Sequence, residues 1–271
     1  MIKQAIIPLA GLGTRLLPLT SVFAKELLPI NGKPGIEYII DECIEAGIKE
    51  IIFIISKKKL MIKKYFYNDK FYKAIIKRKK DPRIINEYKK ILRYKKMIKF
   101  VFQDKPLGTG DAVLKTKKLI KDKYFLMLLP DDLIIKKNCS QSMISVHKKF
   151  NSSVMASMKV NKNQVSRWGI YNVEKKINNQ NFIIKNVVEK PSIKLAPSNN
   201  AVIGRYILPR TIFNKLINLK PGKSGEIHIT DAIQSLIDDN NKFVGHNFSG
   251  QYLDCGTMEG YINSTLEIAK K

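Results

Sequence analysis

The sequence Ala5-Ile6-Ile7-Pro8-Leu9-Ala10-Gly11-Leu12-Gly13-Thr14-Arg15 joins an apolar, β-prone segment to a glycine-rich loop that ends at an arginine. Gly11 and Gly13 let the backbone bend and approach a ligand closely, and the N–H groups of such a loop can bind phosphate oxygens. Arg15 adds a permanently charged guanidinium that suits a polyphosphate. The Rossmann fingerprint and the P-loop are both unmet, because no third glycine and no Gly-Lys-Ser/Thr follows. A tight surface turn is the simpler alternative.

The segments that follow predict a β-α-β unit around this loop. Lys25-Glu26-Leu27-Leu28-Pro29 supplies a second cation soon after the first. Lys33-Pro34 is expected to open a helix whose apolar residues recur at three- and four-residue spacing until Gly47 ends it. Glu50–Ser56 is then a run of strand length, and its continuous apolar character is typical of a parallel strand covered on both faces.

Two further predicted strands lead into polar loops. Ile98–Gln103 precedes a second glycine loop at 104–113, and Tyr124–Leu129 ends at Pro130-Asp131-Asp132. The carboxyl end of a parallel strand is where α/β sheets bind ligands, and hard carboxylate oxygens suit Mg²⁺ held jointly with nucleotide phosphates. A solvated turn is the alternative interpretation of these two aspartates.

The rest of the chain differs in character. Residues 57–97 are rich in lysine and predict a helical excursion, broken at Asp81-Pro82. From Ser153 onward, short predicted strands alternate with longer polar loops. We therefore divide the chain into a nucleotide-binding lobe, 1–135, with a helical insertion at about 57–97, and a second lobe, 136–271, that ends in a helix.

Composition restricts the function classes. The net charge of +26 raises the question of nucleic-acid binding, but the lysines are spread along the chain. Lys, Ile and Asn are abundant together and share A/T-rich codons, so we interpret the charge as compositional drift. Weak, salt-sensitive RNA binding could follow from it. The sequence contains no long apolar run, leaves no room for a signal peptide and has three cysteines without metal spacing, which together predict a cytoplasmic protein without a membrane partner.

The motifs Gly11-Leu12-Gly13-Thr14-Arg15 and Lys25-Glu26-Leu27-Leu28-Pro29 together resemble those of the sugar-1-phosphate nucleotidylyltransferases. Within them, the sequence looks most like the bacterial UTP–glucose-1-phosphate uridylyltransferase group, and the likeness extends over nearly the whole chain. The resemblance implies an α/β fold with a Rossmann-like, mostly parallel sheet and an added sugar-binding lobe in the second half. It also implies the substrates UTP and glucose 1-phosphate, the cofactor Mg²⁺, no specific nucleic-acid partner and a homo-oligomer.

Two motifs near the C-terminus are similar to motifs of this family. Gly225–Ile233 resembles a Glu-Ile-x-Leu-Thr-Asp-Ala run, which we interpret as structural. We expect Thr230 or Asp231 to cap the following helix and His228 to be a packing residue. Tyr252–Thr257 matches the family's Asp-x-Gly near the C-terminus.

The resemblance further implies roles for individual residues. Catalytic roles fall on Arg15, Lys25 and Lys190. The nucleotide-binding residues are Ala10, Gly11, Gly13, Gln103 and Gly108. The sugar-binding residues are Gly169, Glu189 and Lys190, and the Mg²⁺ ligands are Asp131 and Asp254.

The second glycine loop departs from the family pattern and leaves base selectivity open. Where the family commonly has Gly-Leu-Gly-His-Ala-Val, Gly108–Val113 reads Gly-Thr-Gly-Asp-Ala-Val. A sister enzyme that uses dTTP is one alternative, although those relatives usually carry glutamine at the position of Glu26. A non-catalytic regulatory paralogue is disfavoured because the implied charged residues are all present. A nucleic-acid-binding protein is disfavoured because no RRM, KH or helix-turn-helix signature is visible.

Overall fold

The computed structural model describes residues 1–222 and 225–270, and it confirms the expected α/β class. The strands are β1 (Gln4–Pro8), β2 (Pro29–Ile30), β3 (Lys33–Pro34), β4 (Glu50–Ile55), β5 (Ile98–Phe102), β6 (Tyr124–Leu128), β7 (Asp132–Ile135), β8 (Ser153–Lys159), β9 (Gly169–Lys176), β10 (Asn181–Glu189), β11 (Asn200–Pro209), β12 (Phe243–Asn247) and β13 (Gln251–Asp254). The helices are α1 (Gly35–Glu45), α2 (Leu60–Tyr67), α3 (Asp69–Lys79), α4 (Pro82–Met97), α5 (Gly108–Leu114), α6 (Cys139–Phe150), α7 (Ile212–Asn218), α8 (Ile229–Asp238) and α9 (Met258–Ala269).

Nine strands form one sheet in the order β5-β4-β1-β6-β11-β8-β12-β10-β9. The first four are parallel to one another. Strand β11 then runs antiparallel to both β6 and β8, and after the parallel pair β8–β12 the strands β10 and β9 are antiparallel again. The expectation of a mostly parallel sheet is therefore wrong for the second half, where the sheet is mixed. Strands from the second half continue the sheet of the first.

Helices cover both faces of this sheet. Along β1, Ala5 and Ile7 contribute to one apolar core and Ile6 to the other, and all three are fully buried. Residues of α1, α2, α4, α6 and α9 complete the first core, and residues of α5, α7 and α8 complete the second. Because side chains alternate across a strand, burial on both faces accounts for the continuous apolar runs of the parallel strands.

The lysine-rich segment is helical over α2, α3 and α4. The predicted break at Asp81-Pro82 is found, because the Asp81 carboxylate accepts a hydrogen bond from the N–H of Arg83 at 2.8 Å and so caps α4. The first predicted helix begins later than expected. Lys33-Pro34 pairs with β2 in a short ribbon, and α1 starts at Gly35. Within the described ranges, no helix has the length and apolarity needed to cross a membrane.

The start of α8 differs from the prediction. This helix begins at Ile229, so Thr230 and Asp231 lie inside its first turn and neither occupies the capping position. The hydroxyl of Thr109, from the second glycine loop, accepts a hydrogen bond from the N–H of Ile229 at 3.2 Å. His228 is exposed, so its expected packing role is wrong. A cap supplied from a distant loop leaves no local signal in the sequence.

We predict that His246, on β12, makes the stability of the fold sensitive to acid. Its Nδ1 lies 2.9 Å from Asn181 Oδ1 and its Nε2 3.1 Å from Ser142 Oγ, and burial lowers the pKa of the imidazole below its ordinary value. The unfolded chain therefore binds a proton more readily, so this residue costs stability as pH falls below about 6.5. In urea unfolding, the stability difference between the wild type and His246→Gln should shrink from about pH 8 to pH 5. A difference that stays constant over this range would contradict the prediction.

Candidate active site

A cleft of about 510 Å³ lies at the carboxyl ends of the parallel strands. The loops that follow β1, β5 and β6 form its walls, as expected for a ligand site in an α/β sheet. Of the residues predicted to bind nucleotide, to catalyse or to hold Mg²⁺, those that line the cleft are Ala10, Gly11, Gly13, Lys25, Gln103, Gly108 and Asp131. The structure thus brings together seven residues that the sequence resemblance had singled out separately.

The structure gives different reasons for the presence of glycine at the two positions of the first loop. Gly13 has φ +70, in the left-handed region, and a Cβ there would lie 3.1 Å from Thr20 Cγ2. Gly11 has no protein atom within 4 Å of a Cβ position, and it lines the cleft. Gly13 is therefore required by the fold of the loop, whereas a side chain at Gly11 would enter the space available to a ligand.

We predict that Gly11→Ala weakens nucleotide binding without weakening the fold. The added methyl group meets no protein atom, so the midpoint of thermal unfolding should stay close to that of the wild type. The same methyl group would obstruct close approach of a ligand to the loop, and KM for the nucleotide should rise about tenfold, equivalent to ~1.4 kcal/mol. Steady-state kinetics and thermal unfolding of the same preparation check the two parts. An unchanged KM would place the ligand away from this loop.

Asp131 is surrounded by positive charge. Its Oδ2 accepts a hydrogen bond from Lys25 Nζ at 2.6 Å, and the Arg15 guanidinium lies at 3.4 Å. Burial alone would raise the pKa of the Asp131 carboxyl, but the ammonium of Lys25 outweighs burial and the net pKa is lowered. For Lys25, burial alone would lower the pKa, but Asp131 raises it above its ordinary value. Both groups therefore stay charged at neutral pH.

Asp254, near the C-terminal end of the sequence, lies close to Asp131 and Arg15. Strand β13 pairs with β7 so that Asp254 stands opposite Asp132, and the N–H of Cys255 donates to the carbonyl of Asp131 at 2.7 Å. A Cβ built on Gly256 would lie 2.8 Å from the Arg15 guanidinium, 3.0 Å from Asp131 Oδ2 and 3.1 Å from Asp254 Oδ1. Two carboxylates and a guanidinium thus surround one small volume.

Asp132 has a different environment from its neighbour. It is half-buried, and it accepts hydrogen bonds from the N–H of Gly204 at 2.7 Å and from the hydroxyl of Tyr252 at 2.7 Å. Burial, reinforced by the adjacent charge of Asp131, raises the pKa of its carboxyl to about 6. Asp132 therefore joins β7, β11 and β13 beneath the cleft, and its side chain does not line the cleft.

A buried ion pair supports the loop that carries Asp131. The guanidinium of Arg205 is completely buried and donates to the Glu42 carboxylate at 2.8 Å. It also donates to the carbonyls of Leu129 at 3.1 Å and Asp132 at 2.5 Å, on either side of Asp131. Sequence analysis missed both Arg205 and Glu42, because a charged residue inside a strand or helix ordinarily indicates a solvated face.

A second buried ion pair lies behind Lys25. The Glu26 carboxylate accepts hydrogen bonds from Lys59 Nζ at 2.7 and 2.8 Å, and both side chains are buried. Lys59 precedes α2, so the pair links the start of the helical segment to the Lys25-Glu26 motif. Sequence analysis had used Glu26 only to compare the chain with related families, and it had treated Lys59 as one residue of the lysine-rich helical segment.

The residues of the second glycine loop occupy the opposite wall of the cleft. Gln103 follows β5 and is buried. Gly108 has φ +93, and a Cβ there would lie 2.5 Å from the carbonyl oxygen of Ile227. The absence of a side chain at Gly108 is therefore required by packing against the 226–229 segment, a reason that the resemblance had not indicated.

The three predicted sugar-binding residues lie together, but they do not line this cleft. Glu189 stands directly opposite Gly169 in the β9–β10 ladder, and its Oε2 lies 3.1 Å from the Cβ position of Gly169. Lys190 is exposed with φ +44, and its N–H donates to the carbonyl of Trp168 at 3.0 Å. The Trp168 ring packs edge-on against Tyr252, with centroids 5.4 Å apart. Through Tyr252 and Asp132 this group is connected to the loop of Asp131.

A glycine loop, a pair of cations and two converging carboxylates at a cleft of this kind define a site for transfer of a phosphate-containing group. A family model described as nucleotidyl transferase matches residues 4–271, and the chain belongs to that family. Several relatives match this chain over nearly its full length. UTP–glucose-1-phosphate uridylyltransferase 1 of Staphylococcus saprophyticus is 35% identical over 271 residues, which is 100% of this chain and 93% of that protein.

Solved structures give the same result. UDP-glucose pyrophosphorylase complexed with UDP-glucose is 35% identical, with a TM-score of 0.86 over 100% of this chain and 99% of that chain. The UTP-bound enzyme of Acinetobacter baumannii is 34% identical, with a TM-score of 0.91 over 99% of this chain and 93% of that chain. Within the nucleotidyl transferases, this chain is therefore similar over its full length to the UDP-glucose pyrophosphorylases, the group that its motifs resemble.

Proposed function

We propose that this protein is an enzyme that converts UTP and glucose 1-phosphate to UDP-glucose and pyrophosphate. The full-length similarity to uridylyltransferases supports this activity. The observation that carries the proposal for this chain is the arrangement around Asp131, where Lys25, Arg15 and Asp254 converge beside the glycine loop. A fold-level likeness alone would not imply catalysis, but this set of charges suits the chemistry of phosphate transfer.

The proposed reaction is a single displacement at the α-phosphorus of UTP. A phosphate oxygen of glucose 1-phosphate forms the new P–O bond, and the bond from the α-phosphorus to the oxygen bridging to the β-phosphate breaks. Pyrophosphate leaves with that oxygen and its electron pair. The attacking oxygen is already anionic at neutral pH, so no general base is required. Catalysis then depends on holding the two substrates in line and on balancing their negative charge.

Each of three cations has a proposed part in that balance. Lys25, half-buried and charged beside Asp131, would face the charge that develops on the nucleotide phosphates. Arg15, whose guanidinium is largely exposed, would hold the departing pyrophosphate through its planar fork of donors. Lys190 would orient the attacking sugar phosphate. Its left-handed backbone is a conformation that non-glycine residues adopt with strain, and such strain is concentrated at functional sites.

Asp131 and Asp254 fit the Mg²⁺ proposed for this reaction. Their oxygens border the same small volume beside Gly256, and carboxylates shared with substrate phosphates are the usual surroundings of this ion. When bound, Mg²⁺ would neutralise phosphate charge. The role of this chain is to supply the two carboxylates and to keep Asp131 ionised through Lys25.

On the sugar side, we propose that Glu189 accepts hydrogen bonds from hydroxyl groups of the hexose and that Gly169 lets the backbone approach it. Their direct opposition across β9 and β10 supports a common task. The homo-oligomeric state, the cytoplasmic location and the division at residue 135 stay predictions of the sequence.

The test is pyrophosphate release from purified protein, supplied with glucose 1-phosphate and each of UTP, dTTP, CTP, ATP and GTP, with and without Mg²⁺. Magnesium-dependent release that favours UTP would support the proposal. A preference for dTTP would retain the mechanism and assign the protein to a sister activity. No release with any nucleotide, from protein shown to be folded, would overturn the enzyme proposal and favour a regulatory paralogue.

A further inference from the structure

The side-chain amide of Gln103 is held in one orientation. Its Nε2 donates to the carbonyl oxygen of Gly108 at 3.0 Å and to Asp111 Oδ2 at 2.8 Å. Both partners accept hydrogen bonds and cannot donate one when Asp111 is ionised. The reversed amide would place Gln103 Oε1 against two oxygens, so the hydrogen-bond chemistry fixes which end of the amide is the oxygen.

This orientation leaves one kind of polar group available to a ligand. An amide nitrogen carries two N–H donors, and both are used inside the protein. Gln103 Oε1 has no hydrogen-bond partner among residues 1–222 and 225–270, and Gln103 lines the cleft. The cleft therefore receives an acceptor from this residue and no donor.

The other carboxylate oxygen of Asp111 has only a weak contact, with a lysine at the surface. Asp111 lies within α5 and is buried, while its Oδ1 lies 3.4 Å from Nζ of the exposed Lys115, which follows the last residue of the helix. The carboxylate thus has one oxygen for Lys115 and the other for Gln103.

We propose that Asp111 is the specificity-determining positioning residue of the nucleotide site, and that through Gln103 it selects bases with a ring N–H donor at N3. Uracil and thymine carry that donor, whereas N3 of cytosine is an acceptor and would face Gln103 Oε1 without a proton between them. This inference rests on the proposed function for the placement of a nucleotide base in the cleft.

The experiment measures equilibrium binding of UTP and CTP by titration calorimetry, together with turnover of each nucleotide. The variant Asp111→Asn keeps the size of the side chain but removes its charge, so the amide of Gln103 can turn at lower cost. The matched control is Lys115→Met, which removes the ion pair with Asp111 and leaves its hydrogen bond to Gln103 intact.

We expect the wild type to bind UTP at least about 10²-fold more tightly than CTP, because a mismatched polar group in a buried site is strongly rejected. In Asp111→Asn, the UTP/CTP ratio should fall about tenfold, which corresponds to weakening a hydrogen bond to a charged group. In Lys115→Met, the ratio should equal that of the wild type.

Each other outcome has a distinct meaning. An equal loss of UTP and CTP binding in Asp111→Asn, with the ratio unchanged, would overturn the inference and leave Asp111 a merely structural residue. A wild-type preference for CTP would also overturn it. If no turnover occurs but UTP is selected over CTP and the variant loses that selection, the enzyme proposal fails while the inference about Asp111 stands.

Discussion

Replacement of Asp131 by asparagine is expected to lower kcat by at least about 10²-fold, the effect typical of removing one preorganised charged group from an active site. The substitution keeps the shape of the side chain and removes its charge. Lys25 at 2.6 Å and Arg15 at 3.4 Å would lose their shared counter-charge. Lys25 would also lose the partner that raises its pKa, and the proposed metal site would lose one of its two carboxylates.

The measurement is steady-state turnover of UTP and glucose 1-phosphate over a range of Mg²⁺ concentrations. A matched control is Asp238→Asn, which makes the same chemical change at an exposed position on α8 and should retain wild-type turnover. Thermal unfolding of both variants separates a catalytic loss from a loss of fold. Turnover of Asp131→Asn close to that of the wild type would remove this residue from the mechanism.

The parallel half of the fold was predictable because its signals are local. The apolar run of β4 is long enough for a strand and too continuous for one exposed face, and the glycine loop after β1 marks a strand that ends at a ligand site. The direction of β11 was not predictable in this way. Its residues are buried almost throughout, and a strand buried on both faces has the same pattern whether its neighbours are parallel or antiparallel.

The candidate site likewise has residues that the sequence predicts and contacts that only the structure shows. Gly11 and Lys25 belong to short motifs that can be recognised from a few neighbouring residues. The meeting of Asp131 with Asp254 depends on the β7–β13 ribbon, whose two strands lie far apart in the chain. Glu26 and Lys59 are likewise well separated in the chain and meet only in the folded protein. Such contacts are created by tertiary structure, and no spacing rule in the sequence contains them.

The second large effect is expected for Arg205→Met, which should lower the free energy of unfolding by about 3–5 kcal/mol, the range found when one partner of a buried ion pair is removed. The guanidinium of Arg205 is fully buried. Its loss would leave the Glu42 carboxylate buried without its countercharge, and the carbonyls of Leu129 and Asp132 would each lose a hydrogen bond. Urea unfolding monitored by circular dichroism measures the change.

Two further variants separate the charge of Arg205 from its other contributions. Arg210→Met removes an exposed arginine just beyond the end of the same strand and should change stability by no more than about 0.5 kcal/mol. In the double variant Arg205→Met with Glu42→Gln, the unpaired negative charge of Glu42 is also removed. The double variant should therefore be more stable than Arg205→Met alone. If Arg205→Met lost less than about 1 kcal/mol, the pair would not act as a buried charge couple. Because Leu129 and Asp132 flank Asp131, Arg205→Met should also turn over more slowly at temperatures where it is still folded.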